Sequence, residues 1–172
     1  WTREHAKWDH LRHLRVSKVL GSPEQRRRAL AVDADIYVIG RDNVVWLVEQ
    51  CRQSWPFDMV VIDELSSFKN PQAKRFRALK KVIPKASRVV GLTGTPSANG
   101  LMDLWAEIYL LDRGERLGHT LGAYREKYFR PGARNGYVVF KWEPLRGSRE
   151  KIEAAISDIC ISMSADDYFA MN

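Results

Sequence analysis

No stretch of about 18 consecutive apolar residues occurs in this chain, which excludes a membrane-spanning helix. Cysteine is scarce. Cys51 and Cys160 lie far apart among apolar neighbours, and His5, His10, His13 and His119 do not share short spacings with them. That pattern excludes a Cys/His zinc cluster, which needs four ligands at close spacing, and leaves two buried, reduced thiols as the expectation. A Gly-x-x-x-x-Gly-Lys-Ser/Thr run is also missing, and with it any loop of backbone amides and lysine that could cradle phosphates. There is no internal repeat, no low-complexity segment and no signal peptide. The chain starts at Trp1, already inside a helical pattern, and stops at ADDYFAMN without a capping or linker composition, so further sequence is expected at both ends.

What is present suits one globular domain: 172 residues, 45% hydrophobic and 28% charged. A chain of this size removes roughly two-thirds of its unfolded surface from water. The net charge is +7, and a basic surface favours polyanions because each neutralised phosphate releases counterions. Between Lys69 and Arg88 stand eight basic residues (Lys69, Lys74, Arg75, Arg77, Lys80, Lys81, Lys85, Arg88) and no acid. This run reads either as a polyanion-facing surface or as a solvated helix face.

Short β-rich runs alternate with helical patterns. VSKVL at 16–20, IYVI at 36–39, MVVI at 59–62 and RVVGL at 88–92 predict strands, two of them apolar enough for burial on both faces. Ser22-Pro23-Glu24-Gln25 predicts a capping box with Pro at the first helical position. Asn70-Pro71 is expected to start the helix of the basic run, and Asn43 to cap VVWLVEQC. LMDLWAEIYLL after Gly100 predicts a largely buried helix. Beyond Leu111 the pattern gives a loop (LDRGERLG), a short aromatic helix (LGAYREKYF), a turn-rich connection (RPGARNG), a strand (YVVFKW), a last helix capped by Ser148, and a final strand (CISMS). Trp46, Trp105, Tyr109 and Tyr128 read as core, as do Trp1 and Trp8. Strands alternating with helices imply βαβ units and a mostly parallel sheet, an α/β fold.

The segment Phe57-Asp58-Met59-Val60-Val61-Ile62-Asp63-Glu64 describes a parallel strand that ends in two carboxylates. Ligands of open α/β sheets bind at that C-terminal edge. In phosphoryl-transfer sites an Asp there holds Mg2+, usually through water, and an adjacent Glu orients the attacking water. Successive residues at a strand end point differently, so one carboxylate can face the metal and its neighbour the phosphate. Gly91-Leu92-Thr93-Gly94-Thr95-Pro96 follows a second strand, and its two hydroxyls form a polar turn able to reach those carboxylates. A plain turn would need Gly and Pro but not Thr on both sides.

These residues carry a family resemblance. Asp63-Glu64-Leu65-Ser66 resembles the Walker B box of superfamily-two helicases, and Leu92-Thr93-Gly94-Thr95-Pro96 with Asn99 resembles the motif by which Swi/Snf-family ATPases couple nucleotide state to their grip on DNA. Phe68-Lys69-Asn70-Pro71 is similar to the Lys-Asn that follows the acid box in that family, and 36–43 falls where it places a DNA-backbone motif. The match is with the bacterial and phage branch. It implies a RecA-like three-layer domain, a mostly parallel central sheet flanked by helices, occupying residues 1–172 as part of the N-terminal ATP-binding half of a DNA translocase or helicase. It implies ATP and Mg2+ as cofactors, with Asp63 holding Mg2+ through water and Glu64 activating the attacking water. Thr93, Gly94, Thr95 and Pro96 would be the coupling motif, and Arg41, Asn43 and Lys69 nucleic-acid contacts. The implied partners are DNA, taken as double-stranded, and a second RecA-like domain downstream; the implied location is a bacterial cytoplasm, at the nucleoid. Position 66 departs from the family, being Ser where His or Asp is common. The phosphate loop would lie upstream and an arginine finger, worth roughly 10³–10⁵ in rate, downstream, so the chain alone is expected to be inactive.

Two other readings compete. A non-catalytic DNA-binding module with a structural acid pair would bind DNA regardless of nucleotide or magnesium. A two-carboxylate nuclease would need further acids or His converging on a metal pair, and the neighbourhood of Asp63 offers none in sequence.

Overall fold

A computed structural model describes residues 3–94, 100–135 and 138–162. Two compact units share the chain, Trp1–Trp55 and Pro56–Asn172.

In the first unit, β1 (Val16–Val19) and β2 (Ile36–Ile39) pair in parallel, Val16 opposite Ile36 and Val19 opposite Ile39. The crossover is α1 (Pro23–Leu30), whose start follows the sequence closely. The Ser22 hydroxyl accepts from the Gln25 amide while the Gln25 side chain accepts from the Ser22 amide, and Pro23 supplies a pre-set φ. A 3-10 turn, Arg41–Asn43, leads into α2 (Val44–Gln50), which buries Val44, Leu47 and Val48. Four expectations change here. The opening segment forms two 3-10 turns, His5–Lys7 and Asp9–Leu11, and Trp8 is 57% exposed rather than core. Trp46 is only half-buried. Asn43 makes no capping bond to α2, because its side-chain oxygen accepts from Arg26 instead.

In the second unit, β3 (Met59–Asp63) and β4 (Arg88–Leu92) pair in parallel, Met59 opposite Arg88 and Asp63 opposite Leu92. Between them run a 3-10 turn, Leu65–Phe68, and α3 (Lys74–Val82). Helix α3 is amphipathic: Phe76, Leu79 and Val82 are buried, whereas Lys74, Arg77 and Lys81 are exposed. Asn70 does not start it; its side chain accepts from the Gln72 amide in a local turn, and the helix begins at Lys74. Helix α4 (Leu101–Asp112) packs against β4, the 3-10 turn and α3, burying Leu104, Trp105, Ile108 and Leu110. The Trp105 indole N–H donates to the Gly118 carbonyl at 2.9 Å, and its ring lies 5.2 Å from that of Tyr109, so two of the sequence's aromatics join one cluster with Phe76. The strands are less enclosed than their apolar runs suggest. Ile62 is buried, but Met59 and Val61 are exposed, since alternate residues of a strand face opposite ways and the described packing partners cover one side.

The Asp112 carboxylate accepts from the Gly114 and Arg116 amides and shapes the loop after α4. Helix α5 (Leu121–Tyr128) then leads into antiparallel strands: β5 (Phe129–Pro131) with β8 (Trp142–Pro144), and β6 (Arg134–Asn135) with β7 (Val138–Val139). The connection expected to be only turns therefore contributes β5 and β6. Helix α6 (Ser148–Ile156) is not capped by Ser148, whose hydroxyl donates to the Tyr128 carbonyl at 2.6 Å. Cys51 is buried as expected; Cys160 is exposed, and residues 160–162 form no strand. No helix among the described residues is long and apolar enough to cross a membrane.

Candidate functional site

The parallel register sets the site. Asp63 closes β3 directly opposite Leu92, so the chain leaves both strands at one edge, with Glu64 on one side and Thr93 on the other. That is the carboxyl edge at which parallel sheets bind ligands. Glu64 adopts φ 56°, ψ 57°, the left-handed region that non-glycine residues seldom occupy. Such a conformation costs on the order of 1–3 kcal/mol and persists where its surroundings over-determine it. Those surroundings are visible. The Glu64 amide donates to Asp63 Oδ1 at 3.1 Å, and the Glu64 carbonyl accepts from the Ser67 amide at 2.9 Å. Leu65 and Phe68, 4% and 2% exposed, pin the following turn into the core. The result is two adjacent, exposed carboxylates on a backbone that is held rigidly.

Gly91 completes the support. A Cβ at this position would lie 2.5 Å from Leu65 Cδ2 and 3.1 Å from Leu111 Cδ2. Leu65 therefore lies across β4 only because residue 91 has no side chain. Sequence reasoning placed Gly91 in the motif but missed this role; a glycine inside a strand run is the signal that could have shown it.

Asp63 and Glu64 suit a magnesium ion on chemical grounds, since Mg2+ is typically held by one or two carboxylates, waters and substrate phosphates rather than by an all-protein cage. Among the described residues, no group of three or more His, Cys, Asp or Glu could hold a metal ion. Thr93 is half-buried and Gly94 exposed at the edge of β4, while Thr95, Pro96 and Asn99 lie outside the described residues.

The Lys69 ammonium lies 3.5 Å from Asp103 Oδ2 on α4. One turn further along α4, Glu107 is 2% exposed, and its carboxyl is pushed up to about 7 by burial and by the Asp103 charge, with Lys69 opposing. This acidic pair under a lysine escaped the sequence reading. The basic run is also partly turned inward: the Lys80 ammonium sits 4.2 Å from the Tyr109 ring centroid, and Arg75 faces the Phe68 ring.

In the first unit, Arg41 is exposed on the turn after β2. Asn43 is engaged from inside by Arg26, which is 8% exposed with its guanidinium carbon 4.3 Å from the Trp46 ring centroid.

Comparison with known proteins adds the following. A family profile described as the SNF2-related domain matches residues 1–140. The chain is 40% identical over 175 residues to "Putative protein p41" of Acyrthosiphon pisum secondary endosymbiont phage 1, covering 98% of this chain and 38% of that protein. It is 30% identical over 139 residues to the Mus musculus "DNA excision repair protein ERCC-6-like", covering 76% of this chain and 11% of the relative. The chain thus spans well under half the length of these relatives. Among solved structures, the Sulfolobus solfataricus SWI2/SNF2 ATPase core in complex with dsDNA matches with a TM-score of 0.73 and 27% identity, over 100% of this chain and 32% of that one. The whole described chain therefore follows the α/β, RecA-like fold of such a core. The chain belongs to the SNF2-related domain family.

Proposed function

We propose that this chain supplies the magnesium-holding and water-activating side of an ATPase motor that tracks along duplex DNA. The observation that carries the reading is the shared strand edge: Asp63 opposite Leu92, with Glu64 in a left-handed conformation beside it and Thr93 leaving the neighbouring strand. Asp63 would hold Mg2+ through water, which neutralises charge on the transferred phosphoryl group. Glu64, offset from Asp63 by its backbone, orients the attacking water and takes its proton. Thr93, Gly94, Thr95 and Pro96 sense the state of the carboxylates and pass it on to DNA-contacting segments. Arg41 contacts a backbone phosphate, and Asn43, bonded to Arg26, shapes the turn that presents it. The loop that grips the β- and γ-phosphates, and the arginine that completes the site, would come from segments outside these residues, so the isolated chain is inactive. The setting we propose is the cytoplasm of a bacterial or phage-infected cell.

Support for the DNA partner comes from the matched SWI2/SNF2 core, which was solved with dsDNA. The test is ATP hydrolysis by the full-length protein with and without duplex, together with displacement of a triplex-forming oligonucleotide. Duplex should stimulate hydrolysis, and displacement should require ATP and Mg2+. Duplex binding indifferent to both would replace the motor with a non-catalytic DNA-binding module.

A further inference from the structure

Lys69 lies five positions after Glu64 and, on sequence grounds, is expected to be one more phosphate contact. Its surroundings say otherwise. It stands just past the 3-10 turn Leu65–Phe68, whose two end residues are buried, and its ammonium faces Asp103 on the first turn of α4. The two side chains are 34% and 21% exposed, so the pair is shielded on most sides. Asp103 Oδ2 is buried and makes no hydrogen bond among the described residues, which leaves Lys69 as the cation facing it. Glu107 lies one helical turn below, almost fully enclosed. A DNA phosphate approaching Lys69 would have to sit beside the Asp103 carboxylate, and like charges at that distance repel.

We infer that Lys69 is a positioning residue, an ionic clamp that fastens the turn after the acid box to the start of α4. The connection matters because of what it brackets. Strand β4 ends at Leu92 and α4 begins at Leu101, so the segment carrying the coupling motif is anchored on one side by the Asp63–Leu92 register and on the other by Lys69–Asp103. A shift of α4 relative to β3 must stretch or break this pair. Lys69 therefore holds the turn that follows Glu64 against the first turn of α4. This inference rests on the motor reading above.

The experiment compares steady-state ATP hydrolysis and duplex binding for wild type, Lys69→Met, Asp103→Asn, the charge swap Lys69→Asp/Asp103→Lys, and Glu64→Gln, all in the full-length protein. Glu64→Gln is the control for the motor itself: if it hydrolyses ATP normally, the motor reading fails and the clamp inference falls with it. Given an inactive Glu64→Gln, Lys69→Met should lower kcat roughly tenfold, the scale of a modest misplacement of catalytic groups. KM for ATP, duplex affinity and the salt slope of binding should stay within twofold. The charge swap should recover at least half of the lost kcat. A salt slope reduced by about 0.9 with kcat intact at saturating duplex would make Lys69 a phosphate contact and overturn the inference. Unchanged kcat, or a charge swap no better than Lys69→Met, would overturn it too. Should Lys69→Met fail to fold, Asp103→Asn carries the same expectations.

Discussion

Glu107→Gln isolates a buried carboxyl of the second unit whose titration is strongly raised. In the fold Glu107 titrates at about 7 against an ordinary value of 4.5, first because burial penalises its charge and then because Asp103 lies nearby, with the Lys69 charge partly offsetting both. Below pH 4.5 the carboxyl is protonated in both folded and unfolded chains and costs nothing. As the pH rises from there, the unfolded chain releases its proton first, so stability falls by about 1.4 kcal/mol per pH unit until the folded group also ionises near 7. Above that point the loss levels off at roughly 3 kcal/mol, a large fraction of a typical folding free energy of about 5–15 kcal/mol. Gln has nearly the same shape and no charge, so its stability lacks this slope. The assay is urea unfolding of wild type and Glu107→Gln from pH 5 to 8 at fixed salt. The difference between the two proteins should grow with pH in favour of Gln, reaching on the order of 2–3 kcal/mol at pH 8. The amide's own hydrogen-bonding needs add only a pH-independent offset. Parallel stability profiles would refute the assignment of a buried, neutral-range carboxyl here.

Gly91→Ala should destabilise by about 1–3 kcal/mol in thermal or denaturant unfolding, because its Cβ would fall 2.5 Å from Leu65 Cδ2; Leu65→Ala in the same chain should recover part of that loss. Asn43→Ala should cost about 1–3 kcal/mol in the same assays, because it strips a partner from the buried Arg26 guanidinium, and should leave the salt slope of duplex binding unchanged. Arg41→Ala should do the reverse, keeping stability while weakening duplex binding and reducing the salt slope by about 0.9 in anisotropy titrations.

The four strands β1 to β4 were legible because each is a short run rich in Val or Ile, and the start of α1 because its capping box is wholly local. The placement of Asp63 and Glu64 at a strand end was legible for the same reason, and the parallel register then set Thr93 beside them. What stayed hidden depends on partners remote in sequence. The Lys69–Asp103 pair has no signal in the residues near Lys69, and the capping oxygen expected of Asn43 is taken by Arg26. Ser148 was read as a cap for similar reasons, yet its hydroxyl is taken by the Tyr128 carbonyl. The left-handed Glu64 has no local signature at all, since it is imposed by the buried turn behind it and by the space that Gly91 leaves for Leu65. Strands β5 and β6 are too short to show a period of two, and each is defined by its antiparallel partner rather than by its own residues.

Glu64 is proposed above to activate water for ATP hydrolysis at an edge where Asp63 holds magnesium. This role is tested most directly by measuring ATP binding and duplex-stimulated hydrolysis side by side for wild type and Glu64→Gln in the full-length protein. Glu64→Gln should bind Mg2+·ATP as tightly as wild type while hydrolysis falls at least a hundredfold, the lower end of the range for loss of a general base. Hydrolysis within a few-fold of wild type would contradict that role.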